Sequence, residues 1–313
     1  MVVVGSANAD LFVESRLPLA GETLAATGGG VVLAGGKGAN QAAAAALLGA
    51  SCVLVCQTGS DVAGTLVRDA LAGAGVRLEH AVTLPSTPTG QAVIILQPGG
   101  QNSIIIVGGA NMAWERPSDA ALEAVRAAKV LLLQREVPES VSLAAAEAAH
   151  AAGVPVVLDF GGDESPVSPR LLELCTVVSP NETELARVTR RPAEEEKAVE
   201  EAARNLLETV HGGAGGGVLV KRGAEGSMWL EHGGAAPAWC PAASFDTVVD
   251  TTGAGDCFTS AWAVARYVDG RAPAAAASFA AAAAALCVQK PGALPSMPTR
   301  AEVDAAIARH GQA

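Results

Sequence analysis

Aromatic side chains are scarce in this chain, making up 3% of 313 residues, with a single tyrosine. The four tryptophans, Trp114, Trp229, Trp239 and Trp262, are dispersed and form no periodic row on which nucleic-acid bases would stack. Basic residues are also few. Twenty-one Lys and Arg against 32 Asp and Glu leave a formal charge of -11, without a broad cationic track for a phosphate backbone. No nucleic-acid partner is expected.

Six cysteines, Cys52, Cys56, Cys175, Cys240, Cys257 and Cys287, are too sparse for a disulfide scaffold and follow no metal-ligand cadence. The five histidines form no compact motif with Asp, Ser or Cys, which argues against histidine-driven hydrolysis or a zinc cluster. The opening MVVVGSANAD has no basic region followed by a hydrophobic segment, so the expectation is a reducing, cytoplasmic setting. The longest apolar run, 272–288, contains Pro273 and Ser278 and is mostly alanine. It reads as a buried, tightly packed helix, and no membrane partner is expected.

What remains is an Ala-, Val- and Leu-rich chain with 17% charged residues and a mean hydropathy of +0.32, long enough for one or two hydrophobic cores. Short β-rich runs at 2–4, 53–57, 130–134, 154–159, 177–178 and 217–220 are separated by helical segments at 38–48, 63–74, 141–152 and 194–207. That alternation predicts a Rossmann-like, three-layer α/β core with a mainly parallel sheet, whose ligands gather at loop ends. Two stretches, 11–33 and 90–107, alternate without a long helix between their strands and are expected to pair as a small antiparallel β-sheet lid. A helix is expected over 301–310, capped by Thr299. The GGAGGG run at 212–217 reads as a surface loop.

The sharpest local pattern is DTTGAGD, 250–256. Val248 and Val249 predict a strand before it, and small residues leave the backbone bare before a helix resumes at Cys257. Unpaired N–H groups at such a helix start can hold an anion, and Asp256 adds a carboxylate beside them. An acid there makes sense as the base that takes a proton from a hydroxyl attacking a phosphoryl group. A simple helix cap in a Gly-rich turn explains the same residues. GGKGANQ, 35–41, is not a nucleotide P-loop, because Val31 stands where the leading Gly belongs and Gly38 where the Ser or Thr belongs. Gly36 instead permits unusual backbone angles, with Lys37 and Asn40 as donors to a polyhydroxylated ligand or as parts of a tight helix start. Asn8 and Asp10 offer acceptors and donors to adjacent hydroxyls, or form an Asx turn. In SPNETE, 179–184, Asn181 and Glu184 either face phosphate-bound magnesium through water or cap a helix. KRGAEG, 221–226, places Lys221 and two glycines after a strand, at the border of a nucleotide.

With GGKGANQ and DTTGAGD together, the chain resembles the ribokinase-like, or PfkB, carbohydrate kinase family. GSANAD at 5–10, GGAN at 108–111, SPNETE at 179–184 and KPGALPSMP at 290–298 fall in the matching order, so the resemblance spans nearly the whole chain. It implies transfer of the ATP γ-phosphoryl group to the 5-hydroxyl of D-ribose. By resemblance, Asn8, Asp10, Gly36, Lys37, Asn40 and Glu136 would contact the sugar, with Asp256 as base and Gly253, Ala254 and Gly255 as the anion hole. Asn181 and Glu184 would lie in the Mg2+ and phosphate environment, and Lys221, Gly223, Gly226 and Gly255 along ATP. A K+ site is implied at Asp250, Thr252, Cys287, Lys290, Gly292 and Ser296. The family further implies a core of 1–9, 37–87 and 112–313, a discontinuous lid of 10–36 and 88–111, and a homodimer formed through that lid. LDFGGDE at 158–164, Lys221, Ala281 and Lys290 depart from common family forms. The competing readings are a related kinase for another pentose, a hexose or a nucleoside, and a non-catalytic sugar-binding protein on the same fold.

Overall fold

The structure is a computed structural model and describes residues 1–98, 102–210, 215–234, 236–243 and 248–310. The first half runs β1 (Val2–Val4), β2 (Asn8–Glu14), β3 (Gly28–Gly35), α1 (Lys37–Leu47), β4 (Val53–Gly59), α2 (Val62–Gly73), β5 (Ala81–Leu84), β6 (Gly90–Leu96), β7 (Asn102–Val107), α3 (Asp119–Arg126), β8 (Leu131–Arg135) and α4 (Glu139–Ala151). The second half continues with β9 (Val156–Gly162), α5 (Pro169–Leu174), β10 (Val177–Ser179), α6 (Glu182–Thr189), α7 (Glu196–Leu207), β11 (Gly217–Lys221), β12 (Ser227–Glu231), β13 (Ala238–Cys240), α8 (Ala254–Ala263), α9 (Pro273–Cys287) and α10 (Arg300–His310).

The larger sheet has the order β13-β12-β11-β10-β9-β8-β1-β4-β5. Its pairs are parallel from β5 to β11, and β12 and β13 complete one edge in antiparallel fashion. Successive side chains on its strands point to opposite faces, which explains two separate cores. Val3, Leu54 and Leu132 pack with α1, α2, α8, α9 and α10. Val2, Val4, Leu131 and Leu133 pack on the other face with α3, α4, α5, α6 and α7. The expected three-layer core is therefore present. The alanine-rich segment 272–288 is α9, buried along most of its length as expected. Among the described residues, no helix is long and apolar enough to cross a membrane.

The second sheet has the order β3-β2-β6-β7 and is mixed. Antiparallel pairing joins β2 to β3 and β6 to β7, but β2 and β6 run parallel. The antiparallel expectation is corrected at this central pair, because the chain returns to the second sheet only after crossing the core through α1, β4, α2 and β5. A second correction concerns Val248 and Val249. Both are exposed and outside any strand, tied down by the Val249 N–H donating to the Val288 carbonyl at 2.8 Å. Three residues of the glycine-rich run, 212–214, lie outside the described residues.

Small residues fix where the chemistry-bearing groups meet. Helices α1 and α8 pack closely through Ala42, Ala43, Ala261 and their neighbours, and the Ser260 hydroxyl donates to the Gln41 carbonyl at 2.7 Å. Their N-terminal ends consequently lie side by side. Gly36 caps α1 with φ of +88°, and a Cβ there would come within 2.9 Å of the Asn8 backbone nitrogen. Only glycine combines that angle with that approach at little cost.

Candidate active site

Asp256 occupies the first turn of α8 and is 4% exposed. One carboxylate oxygen, Oδ2, accepts from Asn40 Nδ2 at 2.9 Å, and Oδ1 accepts from Gln41 Nε2 at 3.2 Å. Gln41 is in turn held by Gln134, whose Nε2 donates to Gln41 Oε1 at 2.7 Å. The Lys37 ammonium stands 3.8 Å from Asp256 Oδ1. Burial pushes the Asp256 carboxyl above its ordinary range, against the pull of Lys37 and the Asn40 hydrogen bond. Asp256 in turn keeps Lys37 firmly protonated. A carboxyl raised in this way is a better proton acceptor than an exposed one, while its two amide donors hold it in one orientation.

Immediately before it, Gly253 has φ of +79°, and a Cβ on it would lie 2.9 Å from the Ala293 Cα. The turn thus presents bare backbone to the cavity. The Ala254 N–H donates to the Thr251 carbonyl at 3.2 Å and so closes the turn. Of the three residues assigned to the anion hole, Ala254 is the one whose amide is engaged. The N–H groups of Gly253, Gly255 and Asp256 have no partner among the described residues and remain for an anion at the positive end of α8.

On the side facing the second sheet stand Asn8 and Asp10 of β2, with Glu136 and Asp256 close enough to act on the Asp10 carboxyl and Asn40 hydrogen-bonded to Asp256. Asn8 Oδ1 accepts from Asn111 Nδ2 at 2.6 Å, and Asn111 Oδ1 accepts from the Ala7 N–H at 3.0 Å. That arrangement leaves the Asn8 amide to donate outward. Glu136 accepts from the Ser6 hydroxyl at 2.5 Å and from the Lys37 backbone N–H at 2.9 Å. Asp10 Oδ1 and Asn40 Oδ1 are buried without a hydrogen-bond partner among the described residues. Buried acceptors left without donors are what the hydroxyls of a polyol would satisfy. Burial first, then Glu136 and Asp256, raise the Asp10 carboxyl from 3.8 to about 7.

A cavity of about 730 Å³ opens from Asp256 and Lys37 toward β11 and α9. Asn181, Glu184, Lys221, Gly223, Gly226 and Gly255, all expected along ATP or its magnesium, line it. Its far end is apolar, built by Val248, Phe258, Ala281, Ala284, Ala285 and Val288. The capping alternative at 181–184 is realised. Asn181 Oδ1 accepts from the Glu184 N–H at 2.8 Å and Glu184 Oε2 accepts from the Asn181 N–H at 2.7 Å. With its oxygen committed to the cap, Asn181 has only an amide donor to offer, so a cation arriving with phosphate would meet Glu184, through water. Among the described residues, no group of three or more His, Cys, Asp or Glu side chains could hold a metal ion.

The six residues assigned to potassium also converge. Asp250 Oδ1 accepts from Thr252 N–H at 2.9 Å and hydroxyl at 2.6 Å, and its Oδ2 accepts from the Gly292 N–H at 2.8 Å. Cys287 Sγ lies 3.0 Å from Ser296 Oγ, with both residues buried. The Lys290 side chain pairs with Glu302 at 3.0 Å, while its backbone N–H donates to the Cys287 carbonyl at 3.2 Å.

Sequence reasoning missed Gln41, Gln134 and Asn111 as supports. GGKGANQ and GGAN contained two of them, but nothing local identified which distant group each would hold. Asp159 was also missed. Its Oδ2 meets Lys221 Nζ at 2.7 Å on the cavity wall.

An α/β core that sets buried, unpartnered acceptors on one side of a carboxylate and an anion-binding helix start on the other defines a sugar phosphotransferase. The family model for pfkB family carbohydrate kinases matches residues 1–300, and the chain belongs to that family. It is 49% identical over 310 residues to a ribokinase of Arabidopsis thaliana, covering 97% of this chain and 79% of that one. With a ribokinase of Bacillus subtilis it shares 35% identity, over 96% of this chain and 97% of the other. Its fold superposes on the Arabidopsis thaliana ribokinase complexed with ribose and ATP with a TM-score of 0.91 at 48% identity, covering 98% and 97% of the two chains.

Proposed function

We propose that this carbohydrate kinase transfers the γ-phosphoryl group of ATP to the 5-hydroxyl of D-ribose, giving ribose 5-phosphate and ADP. The observation that carries the reading is the position of Asp256, between the orphaned acceptors of the polar pocket and the free amides of the Gly253–Asp256 turn. The similarity to ribokinases along almost the full chain supports ribose as the acceptor.

In this reading Asp10, Asn8, Asn40 and Glu136 fix the sugar by its hydroxyls, and the reacting hydroxyl lies against Asp256. The hydroxyl proton moves to the Asp256 carboxylate as its oxygen bonds to the γ-phosphorus. The bond from that phosphorus to the bridging oxygen breaks, and the electron pair leaves with ADP. Amide donors at Gly253 and Gly255 stabilise charge on the transferred oxygens. Magnesium bound to the triphosphate would neutralise phosphate charge, with Glu184 holding its water. Potassium would be held by the loops that Asp250 ties together, outside the reacting centre.

Residues 10–36 and 88–111 are proposed as the lid, closing over the sugar to exclude water, which would otherwise accept the phosphoryl group. Exposed Val31, Ile104, Ile105 and Ile106 on this sheet support a homodimer formed through it. A reducing cytoplasmic setting is proposed with them, compatible with six unpaired, buried cysteines.

The deciding experiment measures ADP formation with magnesium and potassium across ribose, deoxyribose, fructose and adenosine. Ribose is expected to be preferred strongly, because a pocket built on hydroxyl hydrogen bonds rejects analogues that lack or displace them. Preferred turnover of another acceptor would reject the ribose assignment. Ribose binding without turnover of any acceptor would make the protein a sugar binder.

A further inference from the structure

The wall of the cavity holds a buried ion pair of Lys221 with Asp159, a carboxylate that the roles above leave unused. Asp159, 1% exposed near the C-terminal end of β9, accepts at Oδ2 from Lys221 Nζ at 2.7 Å and from the Thr259 hydroxyl at 2.7 Å. Its Oδ1 accepts from the Gly161 N–H at 2.9 Å. Lys221 Nζ is also 3.4 Å from Thr259 Oγ1. An ammonium has three protons, so these contacts leave one to point into the cavity that both residues line. A Cβ built on Gly255 would meet one atom within 4 Å, Lys221 Nζ at 3.9 Å. The ammonium therefore lies beside the anion-binding turn, next to Gly255.

We propose that Asp159 is a positioning residue, which through its ion pair holds the Lys221 ammonium over the Gly253–Gly255 turn, where it stabilises the phosphoryl group during transfer. Lysine has a flexible four-carbon stem and acts as a point charge, so it needs such an anchor to be preorganised. The geometry offers two buried anchors on it, the Asp159 carboxylate and the Thr259 hydroxyl. Burial alone would raise the Asp159 carboxyl, but Lys221, and then Lys37, hold it below its usual range, so it stays ionised at neutral pH. This proposal rests on the kinase reading and is independent of which sugar is phosphorylated.

The test is steady-state kinetics at saturating and limiting magnesium, with sugar binding measured by calorimetry, on the full-length wild type, D159N, K221M and D159N/K221M. D159N removes the charge and keeps a single acceptor oxygen, which serves Gly161 or Thr259 but not both, since the two donate to different oxygens of Asp159. Its kcat is expected to fall at least about tenfold with the sugar Kd within twofold of wild type. K221M should lose at least as much, and the double variant should be no slower than K221M, since Asp159 acts only through the lysine. K221M leaves a buried carboxylate without its cation. If it does not fold, D159N alone decides. Unchanged kcat in D159N, a loss restored by excess magnesium, a matching loss of sugar affinity, or additive losses in the double variant would each overturn the proposal. Wild-type turnover of a sugar other than ribose rejects the ribose assignment and moves the same comparison to that sugar. A wild type silent with every sugar overturns both readings.

Discussion

Asn40 and Asp256 are 216 residues apart in sequence, and their side chains meet at 2.9 Å in the interior. The contact joins the sugar-facing end of α1 to the phosphate-facing end of α8, so one hydrogen bond couples the two halves of the proposed reaction. It follows from backbone packing. Alanines on the facing surfaces let the helices approach until the N-terminal residues of each reach the other.

In D256N the Gln41 amide still has an oxygen to donate to, and the Asn40 amide, whose Oδ1 has no partner among the described residues, turns over to accept from the new NH2, so the variant is expected to preserve the local structure and lose the proton acceptor. Turnover should fall by at least about a hundredfold, the usual range for a positioned base. Sugar binding, measured separately, should change little. Wild-type turnover in a folded D256N protein removes Asp256 from the role of base.

The proposed contact of Asp10 with the sugar is expected to make capture pH-dependent. Its carboxyl is raised from 3.8 to about 7 in the free protein, and sugar hydroxyls donate best to the ionised form. Sugar affinity is therefore full above neutrality and falls as pH drops through about 7, approaching about tenfold per unit below it. The linked effect on stability has the opposite direction. A raised folded pKa favours the folded state below 3.8, and that advantage is lost as pH rises through about 7. D10N should accordingly gain thermal stability relative to wild type at pH 8 more than at pH 5, while binding sugar poorly at both. A sugar Kd flat from pH 5.5 to 8.5 would exclude titration of Asp10 from binding.

The alternation of strands and helices was legible because parallel strands buried on both faces read as short apolar runs, and the glycines around 36 and 253 mark turns that other residues fill poorly. The candidate sugar and phosphate residues were legible through their motifs. Partnerships were not. Gln41 with Gln134, Asn8 with Asn111, and Lys221 with Asp159 each join segments 62 to 103 residues apart, and no local pattern encodes which distant acceptor a given donor will reach. Val248 and Val249 misled for a related reason. Their β-branched side chains favour a strand, but the Val249 N–H is taken by the carbonyl of Val288, just past the end of α9, and among the described residues neither valine pairs with a strand.

Asn181 and Glu184 combine a structural cap with a proposed role toward magnesium, and E184Q separates the two. A glutamine oxygen still accepts from the Asn181 N–H, so thermal stability should stay close to wild type. The lost charge should raise the magnesium concentration needed for half-maximal turnover several-fold. N181A, which removes the acceptor for the Glu184 N–H, should cost about 1 kcal/mol in stability. Unchanged magnesium dependence in E184Q would leave Glu184 with the cap alone.

Asp250 accepts from Thr252 on one oxygen and from Gly292 on the other, tying the segment before the anion-binding turn to the loop at 290–296. A monovalent cation bound among the carbonyls of these loops would steady the turn in the same sense, by opposing the mutual repulsion of their oxygen dipoles. Replacing potassium by a large organic cation at constant ionic strength should therefore lower kcat several-fold while leaving the sugar Kd unchanged. D250A, which removes both ties, should be slow at every potassium concentration. If wild type is equally fast with and without potassium and D250A is slow, the carboxylate holds the two loops by its hydrogen bonds alone. A D250A variant as fast as wild type would show that the turn keeps its shape without this tie.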